Sequence, residues 1–236
     1  MPATATERTH NRLLDALPGE ELERLRAKLR PVQLSQGKTI YEAGELANYV
    51  YFPSRGLVAL LSATAEGETI EVGMVGSEGT TGIPLIMHAR NTPFRAVVQV
   101  PVLALCSEAR VIQKEVQQGG RLAEILLCYA HTVFAQLAQS AVCNRFHTAE
   151  QRLCRWLLSA RDRMTDDTLA LTQESLAATL GTQRSMVGTA LTELQKHQLI
   201  KYGRGFITIL DRTGLAASAC ECYEALKEQT CRCIDS

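Results

Sequence analysis

The chain has 236 residues, with 25 Lys+Arg balanced by 25 Asp+Glu, and 46% of its residues are hydrophobic. That length suits two domains, each burying its own core, and the supply of Leu, Val and Ile excludes a disordered chain. No run approaches eighteen uninterrupted apolar residues, and the start MPATATERTHNRLLD lacks the apolar stretch of an export signal. A cytoplasmic protein with no membrane partner is expected.

Residues 1–30 read as helical: Leu13, Leu14 and Leu17, a break at Pro18-Gly19, then Leu22, Leu25 and Leu29. From Pro31 to Leu105 the pattern changes to short apolar runs separated by turn residues. Val50–Phe52 precedes Pro53, Leu57–Leu61 follows Gly56, Thr69–Val72 follows Gly67, and Val97-Val98 and Val102–Leu105 close the series. Many short strands at such spacing indicate a β-sandwich of jelly-roll type.

The period turns helical again from about 110 to 141, where Leu122, Ile125, Leu126, Tyr129, Val133, Leu137 and Ala141 form one stripe. Such a stripe serves either packing on its own domain or a dimer seam. The seam is the preferred reading, with Leu122, Leu126, Tyr129, Val133 and Leu137 at the contact. The expected organisation is an α+β chain in four parts: residues 1–110 with the jelly-roll sandwich, 111–143 with a long dimerisation helix, 144–212 as a compact unit, and 213–236 as a tail.

The compact unit is the most informative. A helix runs from about His147 past Trp156 and Leu158. Thr172 then suits an N-cap with Glu174 in the first turn, Leu176 and Leu180 share a face, and Gly181 suits a tight turn. A second helix from about Gln183 turns Val187, Ala190, Leu191 and Leu194 inward. The pair is a helix-turn-helix. Gln183, Arg184, Ser185, Gly188 and Thr189 then face outward, and such side chains read bases: an Arg fork suits guanine, Gln suits adenine, hydroxyls suit either. Leu199–Tyr202 and Phe206–Ile209, joined by Gly203-Arg204-Gly205, read as a hairpin. The hairpin adds a wing, with Lys201, Arg204 and Thr172 as phosphate contacts.

The order β-sandwich, long helix, winged helix and the string LTQESLAATLGTQRSMVGTALTELQKHQLIKYGRGFITILD resemble the Crp/Fnr family of bacterial transcription regulators, over roughly residues 10–215. The resemblance implies a cyclic-nucleotide-binding-like β-roll and a homodimer placing paired recognition helices on a pseudo-palindromic double-stranded DNA operator. It also implies RNA polymerase as a partner and a small-molecule effector. Arg184 matches the recognition arginine that reads guanine. Ser185 stands where several members have Glu and Thr189 where some have Arg, so the operator sequence stays open.

Members that bind cyclic AMP carry a Gly-Glu-Leu triplet for the ribose and an Arg-Ser/Thr-Ala triplet for the phosphate. Here Gly82 is present, but Ile83 and Pro84 replace Glu and Leu, and Arg95 is displaced by about one place. Isoleucine accepts no hydrogen bond from a ribose hydroxyl, so the effector is expected not to be cyclic AMP. Gly76, Gly79 and Gly82, through backbone N–H groups, and Arg95 are the candidate effector contacts. An N-terminal iron–sulfur cluster is excluded because the first cysteine is Cys106, and the cofactor stays open.

The tail holds Cys220, Cys222, Cys231 and Cys233. One residue between paired cysteines falls short of the usual structural-zinc spacing, and residues two apart on a helix point to different faces. No metal site is assigned to them. No nucleophile triad, P-loop or paired-carboxylate arrangement marks an enzyme. The alternative to a DNA regulator is a ligand-sensing module whose winged helix contacts protein. The zero net charge averages unlike parts: residues 144–212 hold 10 basic and 7 acidic groups, a net +3.

Overall fold

The computed structural model describes residues 8–89, 91–164 and 168–235, with residues 231–235 described by their backbone alone. Two short helices, α1 (Arg12–Asp15) and α2 (Gly19–Arg26), come first. Asn11 caps α1 through its side-chain oxygen, and its amide donates to the carbonyls of Pro53 and Gly79 at 2.8 Å each. One buried side chain thus starts the helix and ties it to the sheet.

Strands β1 (Arg30–Leu34), β2 (Thr39–Tyr41), β3 (Tyr49–Ala63), β4 (Thr69–Val75) and β5 (Arg95–Glu108) form an antiparallel sheet of order β1-β5-β3-β4, with β2 also on β5. Helix α3 (Ile83–Ile86) lies between β4 and β5. The expected series of short strands needs correction. β3 and β5 run 15 and 14 residues, and the Pro53 and Gly56 breaks are register shifts within β3. Pro53 withholds a ladder donor and Gly56 takes φ +86°, so these residues bend the strand rather than end it. The bent strands enclose a core of Val50, Phe52, Val58, Leu60, Val98 and Val102.

The helical stretch that follows is two helices, α4 (Ala109–Gln117) and α5 (Arg121–Phe146), separated by Gly119 and Gly120 with φ of +78° and +91°. The expected dimer seam needs a second correction. Leu122, Ile125, Leu126, Tyr129 and Val133 are buried in the β-roll core of their own chain, with Leu137 packed against its edge. Leu122, Leu126, Tyr129 and Val133 therefore have almost no surface left for a partner, and of the five expected seam residues only Leu137 stays partly exposed. The opposite face of α5 exposes Leu127 (62%), His131, Phe134 (70%), Ala138, Ala141 and Val142. Alone among the described helices, α5 is long and apolar enough to cross a membrane by length and composition. Of its most apolar stretch, 39% is buried inside the protein.

Helix α6 (Ala149–Arg163) begins with a reciprocal capping box between Thr148 and Gln151, leaving His147 extended at the joint with α5. Then come β6 (Thr168–Ala170), α7 (Gln173–Leu180), α8 (Arg184–Lys196), β7 (Ile200–Gly203) and β8 (Phe206–Ile209), followed by α9 (Arg212–Ser218) and α10 (Cys222–Asp235). The small sheet has order β6-β8-β7, so the wing gains a strand the sequence did not announce. Leu153, Trp156, Leu157, Leu176, Leu180, Val187, Leu191, Leu194 and Ile207 make a second core, which Leu57 and Met74 of the β-roll join. Two polar contacts reinforce this junction. Trp156 Nε1 donates to Glu71 Oε1 at 2.8 Å, and Arg163 Nε lies 2.9 Å from Glu78 Oε1 in a buried ion pair.

Candidate nucleic-acid interface, sensor interior and cysteine cluster

The helix-turn-helix follows from local chemistry. The Thr172 hydroxyl accepts from Ser175 N and starts α7, and Gly181 at φ +56°, ψ +48° stops it. A side chain at Gly181 would also meet Ile70 of β4, because a Cβ there would lie 2.3 Å from Ile70 Cδ1. The turn is thus pressed onto the β-roll. Helix α8 buries Val187, Ala190, Leu191 and Leu194, and its other face stays open.

Gln183, Arg184, Ser185 and Thr189 are exposed on that open face, and Gly188 is partly exposed among them. The Thr189 hydroxyl donates to Ser185 O at 3.1 Å, so in this rotamer it can meet a base only as an acceptor. Met186, unmarked in the sequence reading, is also exposed in this first turn. Arg204 and Gly205, both at positive φ, form the two-residue turn of the wing, and Lys201 is exposed on β7. Exposed Phe206 opens β8 beside them. Thr172 is exposed too, and its hydroxyl proton remains available to a phosphate.

The candidate effector contacts are not gathered into a cradle, which corrects the sequence expectation. Gly76 N donates to the Glu78 carboxylate and Gly79 N to Gly76 O, so both N–H groups are already committed. A Cβ at Gly76 would stand 2.6 Å from Arg163 Cβ, and one at Gly79 2.0 Å from Tyr129 Oη. These glycines let α6 and α5 approach closely. Gly82, at φ +79°, packs beside Val50, and Arg95 is held by Glu42 at 3.3 Å and Thr39 at 2.8 Å. The surrounding interior is filled by Tyr41, Ile83, Leu85, Phe94 and Tyr129. Burial pushes the Tyr41 and Tyr129 hydroxyls up, which keeps both neutral.

The tail cysteines fall differently from expectation. The side chains of Cys231 and Cys233 lie outside the described residues. Cys220 and Cys222 instead meet Cys143 near the end of α5 and His147 at its C-cap. Cys143 Sγ lies 3.6 Å from Cys220 Sγ, and Cys222 Sγ lies 3.5 Å from His147 Nδ1. One shared proton holds Cys143 low and Cys220 high, because a neighbouring thiol donor favours one thiolate and disfavours a second.

A β-roll joined by a long helix to a winged helix-turn-helix with an open recognition face defines a transcription regulator with a cyclic-nucleotide-binding-like domain. Residues 31–119 match the cyclic nucleotide-binding domain and residues 151–218 the Crp-like helix-turn-helix domain. The "Global nitrogen regulator" of Synechococcus elongatus is 25% identical over 199 residues, covering 79% of this chain and 89% of that protein. The "HTH-type transcriptional regulator Cmr" of Mycobacterium tuberculosis is 27% identical over 210 residues, covering 85% and 80%. Among solved structures, FixK2 from Bradyrhizobium japonicum shares the fold at a TM-score of 0.66 and 17% identity, covering 81% of this chain and 98% of that one. The chain belongs to the Crp/Fnr family of transcription regulators.

Proposed function

We propose that this protein regulates transcription as a homodimer, with one α8 from each subunit in successive major grooves of a pseudo-palindromic operator. The carrying observation is the division of α8, whose Val187–Leu194 face is buried while Gln183, Arg184, Ser185 and Thr189 stay open. Lys201, Arg204 and Thr172 flank that face as phosphate contacts. The net charge of +3 on residues 144–212 is modest, so affinity relies on two half-sites engaged together.

The exposed face of α5 supports the dimer. Leu127, Phe134 and Ala141 recur every seven residues, with His131, Ala138 and Arg145 each four residues further on, which is the spacing of a two-stranded seam. The effector is a small molecule other than cyclic AMP, a reading supported by buried Ile83 and by Arg95 already paired with Glu42. RNA polymerase is the protein partner at the promoter.

Selection of bound sequences from a random duplex pool, followed by titration at fixed salt, tests the reading. Arg184→Ala should lose about 1–3 kcal/mol at the selected site and relax specificity at one position per half-site. Lys201→Ala or Arg204→Ala should weaken all sequences alike and flatten the salt dependence. Unchanged affinity and specificity for Arg184→Ala would overturn the assignment.

A further inference from the structure

We infer that Cys143, His147, Cys220 and Cys222 form a binding site for one thiophilic divalent ion, zinc foremost, at the joint between α5 and α6. The four candidate ligand atoms lie within 4.8 Å of one another. Tetrahedral zinc, with bonds of about 2.3 Å to sulfur and about 2.0 Å to nitrogen, sets its ligands about 3.8 Å apart for sulfur pairs and about 3.5 Å for sulfur and nitrogen. The Cys143–Cys220 and Cys222–His147 separations, 3.6 and 3.5 Å, already have these values. The most distant pair, at no more than 4.8 Å, need close by only about 1 Å. Thiolates that bind different irons of a cluster must stand farther apart than this, so the spacing selects a mononuclear ion.

The surroundings fit the same occupant. All three thiols are buried and cluster with one another. His147 turns Nδ1 toward the sulfurs, and its Nε2 lies 3.1 Å from Glu221 Oε1, the carboxylate–histidine arrangement that orients a metal ligand. Gln139 Nε2 donates to Cys222 Sγ at 2.9 Å, which favours a thiolate. Three thiolates around a divalent cation leave one negative charge, and Arg155 lies near enough to act on Cys143. A Cys143–Cys220 disulfide would use only two of these groups and leave the Cys222–His147–Glu221 arrangement without a purpose.

One residue still separates Cys220 from Cys222, but the objection that the two would point to different faces of a helix does not apply. Cys220 precedes α10 in a loop, so it and Cys222 are not two positions on one helix. The remaining ligands come from an i, i+4 pair at the end of α5. An ion there ties the α5 terminus, the α5–α6 joint and the start of α10 together, so it fixes where α6 leaves α5.

The test uses the full-length protein, purified without oxygen and titrated with Co(II). We expect uptake of about one ion per chain, with the visible bands of tetrahedral Co(II), thiolate-to-cobalt charge transfer in the near ultraviolet, and displacement by Zn(II). Cys222→Ser and His147→Gln should each change the spectrum, and Glu221→Gln should weaken uptake roughly tenfold or more while circular dichroism reports an intact fold. Cys106→Ala, elsewhere in the β-roll, should leave the spectrum unchanged. An octahedral or absent Co(II) spectrum overturns the site, as does a tetrahedral one that survives both ligand substitutions. Iron–sulfur absorption, or a Cys143–Cys220 disulfide in protein never exposed to oxygen, does so equally.

Discussion

The contact between the β-roll and the winged helix should carry a pH dependence that a single substitution isolates. Glu71 on β4 is buried, accepts from Trp156 Nε1 at 2.8 Å, and is faced by Gln99, Arg155 and Arg163. Burial pushes its carboxyl from the ordinary 4.5 up to about 7, against the opposing pull of Trp156 and the two arginines. At about 1.4 kcal/mol per pH unit, that rise corresponds to about 3 kcal/mol. The folded state holds the proton more tightly than the unfolded chain. No penalty therefore exists below pH 4.5, it grows as pH rises toward 7, and it is constant above. Glu71→Gln removes the charge while its amide oxygen still accepts from Trp156. The variant should match the parent near pH 4.5 and exceed it by about 2–3 kcal/mol at pH 8. Urea unfolding at a series of pH values reads this through Trp156, the only tryptophan and buried at this contact. A stability difference between the two proteins that is the same at pH 5 and pH 8 would refute the buried-carboxylate account.

Other substitutions separate functions that the fold places side by side. Phe134→Glu or Leu127→Glu should give a folded monomer by analytical ultracentrifugation, whereas Leu126→Glu should unfold the β-roll, since Leu126 is 1% exposed in its own core. Monomers from Leu126→Glu with an intact circular dichroism spectrum would return the seam to the face read from the sequence. Gly188→Ala meets only ordinary contacts near Gln173, so it should stabilise α8 by about 0.5–1 kcal/mol in thermal unfolding while weakening operator binding. Gly79→Ala should cost about 1–3 kcal/mol, because the new methyl falls on the fixed Tyr129 ring, and denaturant unfolding measures it.

The winged helix was legible because its determinants are local. The Thr172 cap, the Gly181 stop and the Val187–Leu194 spacing each act within a few residues, and all three recur in the structure. The face of α5 was not legible. Leu122, Leu126, Tyr129 and Val133 form one apolar stripe and Leu127, Phe134 and Ala141 another, and periodicity does not say which stripe meets which partner. Pro53 and Gly56 misled because a bulge and a strand end call for the same residue types. Gly76 and Gly79 read as an anion cradle, yet their reason is the approach of Arg163 and Tyr129 from distant helices. The cysteine cluster was hidden for the same cause, since Cys143 and Cys220 meet across 77 residues.

These long-range contacts share a geometry that bears on how a sensor reaches DNA. Helix α7 turns at Gly181 against Ile70 of β4, and α8 shares the core of Leu176, Leu180, Val187 and Leu191 with α7 while Gln183, Arg184 and Ser185 stay exposed. The β-roll contact and the exposed face of α8 therefore belong to one packed unit, and close-packed cores move as bodies rather than deform. A shift of β4 that alters the Glu71–Trp156 or Glu78–Arg163 contact must displace α7 and α8 together. Without an ion on the Cys143–His147–Cys220–Cys222 cluster, the chain can absorb that displacement at His147, extended between the α5 terminus and the capping box of α6. In the proposed dimer α5 is pinned to its partner, so rotation at His147 becomes a change in the separation of the two α8 helices. Half-site spacing on a pseudo-palindromic operator mirrors that separation.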